Sequence, residues 1–193
     1  MHPPLDSFVP DEALPDRVDV VVIGGGIIGV STALELAERG VSVALCEKGE
    51  VGAEQSSRNW GWCRQTGRDP REIPLIRVSL DLWRGMNQRV GSETGFRQCG
   101  ILYLAETPDE LKQKADWYES YGKPWQLQSR LVSGEEASRL MPGSTVKWHG
   151  GLYTPSDGRA EPQKAAPALA TAARRHGAKI LTRCAARSIE TEA

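Results

Sequence analysis

Apolar and polar residues alternate along the chain in two rhythms, and each change of rhythm marks an element. Val18 to Ile23 (VDVVVI) is a β-branched run of the kind that fills a strand buried on both faces. Three glycines follow at once. Ile27 to Arg39 then places Ile27, Val30, Ala33, Leu34 and Ala37 at helical spacing, and Gly40 stands where a C-terminal cap glycine sits. Val41 to Cys46 (VSVALC) reads as a second strand. Strand, helix and strand in fewer than 30 residues predict a right-handed parallel crossover with the helix on one sheet face.

The segment Glu50 to Pro70 breaks that rhythm, being polar, holding three glycines and two tryptophans, and too long for an ordinary connector. Helical spacing returns in Arg71 to Val90 through Ile73, Ile76, Leu80, Trp83 and Val90, with Gly91 as the stop. Gly100 to Ala105 (GILYLA) predicts a strand, and Thr107-Pro108 an N-cap and first position of a helix to about Tyr121. Ser133 with Glu136 forms a capping box before a short helix that stops at Met141-Pro142. Gly150 to Tyr153 predicts a further strand, Pro162 opens an alanine-rich helix ending near Gly177, and Lys179 to Cys184 a last strand. The pattern fits either one continuous α/β domain or a nucleotide-binding domain interrupted by a second region. The second reading gives an extended arm over 1–17, a parallel-sheet domain over 18–70 and 160–193, and an inserted region over 71–159.

Composition excludes several classes. With 39% hydrophobic residues, 24 Lys plus Arg against 25 Asp plus Glu and a formal charge of -1, the chain is neither disordered nor basic enough to bind nucleic acid through phosphates. The longest apolar run, Val18 to Val30, is cut by four glycines and Asp19 and falls short of a membrane span. The first sixteen residues carry four prolines and four acids, without the basic and apolar regions of a signal peptide, so a cytoplasmic location is expected. Cys46, Cys63, Cys99 and Cys184 lie far apart with no C-x-x-C pair, so neither a zinc site nor a disulfide framework is expected. Cys46 and Cys184 fall in predicted strands as small buried hydrophobes, and His149 and His176 take surface or core positions without a partner that would make them catalytic.

The chemistry concentrates at the first turn. Gly24, Gly26 and Gly29 form G-x-G-x-x-G between the predicted strand and helix: Gly24 allows a tight turn, Gly26 lets a pyrophosphate approach the backbone, and Gly29 lets helix and strand pack closely. The helix N-terminus, at Ile27 and Ile28, offers free N–H groups and about half a unit of positive charge to a diphosphate. Glu47 ends the second strand 23 positions after Gly24, where an acid accepts hydrogen bonds from an adenosine ribose. The competing explanation is a glycine-rich turn with an incidental glutamate. A carboxylate there also disfavours a 2'-phosphate, and so NADP.

At this point the chain resembles a family. VDVVVIGGGIIGVSTALELAERGVSVALCEKG is similar to the opening of FAD-dependent oxidoreductases of the D-amino-acid oxidase, glycine oxidase and sarcosine oxidase type. SSRNWGWCRQ leading into IPLIRVSLDLW, and GGLYTPSDGRAEPQKAAPALATAARRHGAKILTRCAARSIE, extend the likeness over nearly the whole chain from Asp19. The resemblance implies an α/β fold: a Rossmann-like FAD-binding parallel sheet with an inserted, incomplete α+β substrate-domain region. It implies FAD as cofactor, oxidation of a small-molecule amine or amino acid by hydride transfer to flavin, and cofactor contacts from Lys48, Ser56, Ser57, Arg58, Asn59 and the backbone at Ala186. It sets Trp60, Trp62, Cys63, Arg64 and Gln65 near the flavin ring, with Arg64 suited to orient a carboxylate and Cys63 a candidate flavin attachment point. A solvated polar loop is the plain alternative for these positions. Members of the family continue well past a strand like Lys179 to Cys184, so the chain reads as an N-terminal fragment, a split subunit or a truncated frame, with a complementary chain as possible partner. Two rival functions stand beside this one: an NAD-dependent dehydrogenase, and a non-catalytic subunit that binds FAD without turnover.

Overall fold

A computed structural model describes residues 4–191. In chain order its elements are β1 (Val20–Ile23), α1 (Ile27–Glu38), β2 (Val43–Cys46), β3 (Trp62–Cys63), α2 (Ile73–Val90), β4 (Ile101–Ala105), α3 (Pro108–Trp117), β5 (Arg130–Ser133), α4 (Gly134–Leu140), β6 (Gly150–Thr154), β7 (Gly158–Arg159), α5 (Pro162–Arg175) and β8 (Lys179–Leu181). They gather into two compact units. The first comprises the described residues of 1–61, Met86–Phe96 and the described residues of 160–193; the second comprises Trp62–Gly85 and Arg97–Arg159.

The first unit is built on a parallel sheet of order β1-β2-β8, with Val20 opposite Val43 and Cys46 opposite Leu181. Strand β2 is buried along its whole length, as its VALC sequence requires. The crossover helix α1 buries Val30, Ala33, Leu34 and Ala37 and packs against α5, whose buried face is mostly alanine. Small side chains on both helices let the two backbones approach closely. The last turn of α2 joins this unit through Arg89, whose half-buried guanidinium pairs with Glu35 and Glu38 of α1.

The N-terminal arm is anchored by a defect in α5. Pro167 lies inside that helix and has no N–H to give the carbonyl four residues earlier, Gln163. The Asp6 N–H donates to that carbonyl instead, at 3.1 Å. Farther along, the Asp11 N–H donates to the carbonyl of Ile180 in β8, while its carboxylate accepts from the Ile180 N–H at 2.8 Å and from Arg174 at 3.0 and 3.2 Å. Burial opposes ionisation of Asp11, but the Ile180 N–H and Arg174 outweigh it and hold the carboxyl below its ordinary value. The arm thus lies along one edge of the sheet. Strand β1 is the other edge.

The second unit holds an antiparallel sheet of order β4-β6-β5, with α3 and α4 packed on it, and the short antiparallel pair β3-β7. The Thr107 hydroxyl caps α3 by accepting from the Glu110 N–H, and the Ser133 hydroxyl caps α4 by accepting from the Glu136 N–H. Only half of the predicted Ser133–Glu136 box forms in this way: the Glu136 carboxylate turns to Arg130 of β5 at 2.6 Å, an ion pair one strand back.

Several boundaries move from their sequence-based positions. Helix α3 ends at Trp117 and is continued to Gly122 by a π-helical turn. The last strand stops at Leu181 rather than Cys184, because Arg183 takes a left-handed conformation (φ +52°) that a strand does not accommodate. Strands β3, β5 and β7 are too short to show a period of two. His149 and His176 are exposed, Cys46 is buried and Cys184 half-buried. No described helix is long and apolar enough to cross a membrane.

Candidate functional site

The first crossover forms a cradle made almost wholly of backbone. Gly24 leaves β1 at φ +105°, a conformation open to glycine, and its N–H donates to the Cys46 carbonyl at 2.9 Å. Gly26 is the N-cap of α1 and brings no capping side chain. A Cβ on Gly29 would stand 1.9 Å from the Gly24 carbonyl oxygen, so only glycine lets the helix lie this close to the strand end.

Glu47 is 7% exposed and faces this turn from the end of β2. Its Oε2 accepts the Gly25 N–H at 2.6 Å and its Oε1 the Gly49 N–H at 2.7 Å. The carboxylate therefore fixes the glycine turn and the start of the following loop together, before any ligand is considered. Gly25 and Gly49, the two donors, escaped sequence reasoning, since a backbone N–H leaves no mark on residue identity.

The loop after β2 returns to the same place. Ser56, in a 3-10 turn over Gln55–Ser57, accepts the Ile27 N–H at 2.8 Å, satisfying one of the free donors at the start of α1. Asn59 clamps the turn, donating to the carbonyls of Gln55 and Ser56 and accepting the Gly61 N–H at 2.7 Å. The buried Ser57 presents its carbonyl to Gln163 of α5. Lys48 and Arg58 are exposed and both reach Glu54, at 3.5 and 3.4 Å. Ile28 faces solvent and Ala186 lies in the exposed segment past β8. Glycines, Ile27, Glu47 and Ser56 thus converge; Ser57 and Asn59 shape the turn; Lys48, Arg58 and Ala186 stand apart from that hydrogen-bonded centre.

The fit to a dinucleotide can be judged from these atoms. A diphosphate needs close backbone and free donors at the helix N-terminus; the first turn of α1 contains no acid, and the Glu47 carboxylate facing the turn is engaged with the Gly25 and Gly49 N–H groups. A ribose needs a fixed acceptor, and Glu47 is held by two backbone bonds. The residues fit the adenosine half of FAD.

In the second unit, Trp62, Arg64 and Tyr103 form a separate cluster. The Arg64 guanidinium lies 5.5 Å from the Trp62 ring centre and 5.6 Å from that of Tyr103, and the two rings meet edge to face at 5.9 Å. Trp62, Cys63, Arg64 and Trp83 border a cavity of about 200 Å³. The buried Asp157 sets this geometry by accepting the N–H groups of Gln65 and Thr66 at 3.0 and 3.2 Å. Burial raises the Asp157 carboxyl above its ordinary value against those same bonds. Gln65 is itself buried, its amide turned to Ser156 and Asp157. Trp60, in the first unit, is 76% exposed.

Comparison with known proteins places the chain in a family. A family model described as FAD dependent oxidoreductase (DAO) matches residues 19–193. Rat mitochondrial dimethylglycine dehydrogenase is 33% identical over 168 residues, covering 84% of this chain and 19% of the relative. Glycine oxidase of Geobacillus kaustophilus is 31% identical over 84% of this chain and 45% of its own length. Among solved structures, the L-amino acid deaminase of Proteus myxofaciens superposes with a TM-score of 0.88 at 36% identity, over 97% of this chain and 43% of that one. The chain thus spans about a fifth to just under half of these relatives. With a glycine turn, an acid at the end of β2 and a family match that runs from β1 to the last residue, the chain belongs to the DAO family of FAD-dependent oxidoreductases.

Proposed function

We propose that the first unit holds the adenosine diphosphate half of FAD, and that the whole protein oxidises an amine or amino acid. The observation that carries this reading is the double hydrogen bond of Glu47 to Gly25 and Gly49, which fixes a carboxylate against a side-chain-free helix N-terminus. In this reading Gly24, Gly26, Ile27, Ile28 and Gly29 surround the diphosphate, Glu47 accepts the ribose hydroxyls, and Ser56, Ser57 and Asn59 shape the loop beside it. Lys48 and Arg58 supply positive charge, and the backbone at Ala186 meets the adenine. In the second unit, Arg64 carries the donor set for a substrate carboxylate.

The chemistry that FAD would supply when bound is acceptance of a hydride from the substrate carbon next to nitrogen, leaving an imine for water to hydrolyse. The chain's own contribution is placement. Glu47 and the glycine turn fix one end of the cofactor, and the loop through Asn59 is pinned at Ser56 and Ser57 so that it has one course. Four unbridged cysteines suit the reducing cytoplasm.

A second reading has a specific observation behind it. Val21 and Ile23 of the edge strand β1 are 57% and 61% exposed. Such a strand suits a complementary polypeptide that completes the sheet, and the chain would then bind FAD without turning over substrate alone. Titration of the purified chain with FAD, followed by flavin fluorescence, tests the first statement. Saturable binding that Glu47→Ala weakens supports it; a chain that leaves flavin fluorescence unchanged overturns it. Assay of sarcosine, glycine and other amines with an artificial electron acceptor then separates an enzyme from a binding subunit.

A further inference from the structure

We propose that Cys46 and Cys184 form a thiol–disulfide redox site whose oxidant is a low-molecular-weight disulfide such as oxidised glutathione.

The two residues are 138 positions apart in the sequence and are brought together by the fold. Strand register pairs Cys46 with Leu181. A straight continuation of β8 would carry Cys184 about 10 Å past Cys46 at the usual rise per residue. The left-handed turn at Arg183 (φ +52°) prevents this: the Arg183 N–H donates to the Gly49 carbonyl at 3.0 Å, and the Cys184 N–H donates to the Glu47 carbonyl at 2.8 Å. Cys184 is thereby tied by its backbone to the residue after Cys46. Its side chain packs on the apolar cluster of Ala44, Cys46 and Leu181. Burial raises the Cys46 thiol, and the neighbouring Cys184 thiol raises it further.

These facts divide the roles. Cys184 is half-buried and open to a reagent, whereas Cys46 is buried and faces only its neighbours. The Cys184 thiolate attacks one sulfur of the glutathione disulfide; that S–S bond breaks, one glutathione leaves as thiolate, and a mixed disulfide remains on Cys184. Cys46, deprotonated in the step, then attacks the Cys184 sulfur and expels the second glutathione. The protein loses two electrons and two protons, and the reagent becomes two thiols. The product ties the exit of β8 to the end of β2 beside Glu47. In a reducing compartment such a bond is transient, as redox-sensing bonds are. The proposal does not depend on FAD binding.

The test uses the purified full chain, incubated with oxidised glutathione, quenched with an alkylating reagent under denaturing conditions and mapped by mass spectrometry without reduction. The expected result is a linked pair of peptides carrying Cys46 and Cys184, two hydrogens lighter than the separate peptides and released by dithiothreitol. A Cys63→Ser/Cys99→Ser background, which lacks the two cysteines outside the pair, loses both remaining free thiols. In Cys46→Ala the reaction stops at a glutathione adduct on Cys184. A wild-type chain in which Cys184 carries glutathione while Cys46 is still alkylated overturns the proposal, as does one in which both thiols stay free.

Discussion

Glu47→Gln tests the central claim about the site, that one carboxylate holds the glycine turn in the absence of cofactor. Glutamine has nearly the same shape, so no cavity opens and the change is electronic. In the native turn each carboxylate oxygen accepts one backbone N–H, at 2.6 and 2.7 Å, both short charge-assisted bonds. An amide has one oxygen and one NH2 group. Whichever way it is turned, its NH2 faces either Gly25 or Gly49, donor against donor. One charge-assisted bond is lost, a buried N–H is left unsatisfied, and the remaining bond becomes neutral. A hydrogen bond to a charged group contributes about 1.5–3 kcal/mol and an orphaned buried donor costs about 1–3, so a net loss of about 2–4 kcal/mol is expected. For a chain of this size that lowers the thermal midpoint by roughly 4–16 °C. Circular dichroism of the cofactor-free protein measures it, with FAD titration in parallel, where loss of the proposed ribose acceptor is expected to weaken binding about 10- to 100-fold, or about 1.4–2.8 kcal/mol. A variant that melts with the wild type and binds FAD within threefold would refute the reasoning at both points.

Gly29→Ala places a methyl 1.9 Å from the Gly24 carbonyl oxygen, so helix and strand must part; a loss of at least about 1–3 kcal/mol is expected in thermal unfolding, together with loss of FAD binding. Gly85→Ala is the matched control, since its Cβ meets open space on an exposed part of α2 and should stabilise by about 0.5–1 kcal/mol; equal effects at the two positions would contradict the packing argument. Ser56→Ala removes the acceptor of the Ile27 N–H and is expected to destabilise by about 0.5–2 kcal/mol; an unchanged melting curve would show that this hydroxyl holds nothing. Burial raises Asp157, so its folded form binds a proton more tightly than the unfolded chain, and stability falls as pH rises from 3.8 through the raised folded value. Urea unfolding followed by tryptophan fluorescence should show that decline relative to Asp157→Asn, whose residue does not titrate; a difference that grows in favour of the wild type with rising pH would reverse the assignment.

The crossover was legible because its residues satisfy several demands at once. VDVVVI, the glycines, the alanine and leucine stripe of α1 and VALC each follow from local chemistry, and Glu47 follows from its distance along the chain. The same holds for the caps at Thr107 and Ser133, where hydroxyl and backbone lie within one turn. Long-range geometry left no such trace. The pairing of β5 with β6 rests on backbone bonds between segments whose side chains show no alternation. The Gln163 carbonyl finds Asp6 only because Pro167 leaves it free.

What the sequence by itself determined, then, is the parallel crossover, its glycine turn and the acid that ends β2, since each depends on interactions within a few turns or one strand length. Only the tertiary structure decided that Glu47 spends both oxygens on Gly25 and Gly49, that Asp157 fixes Gln65 and Thr66, and that Cys184 turns back beside Cys46. Those contacts join residues far apart in the chain, most of them through backbone N–H and carbonyl groups, which every residue carries alike and which therefore write nothing into side-chain identity.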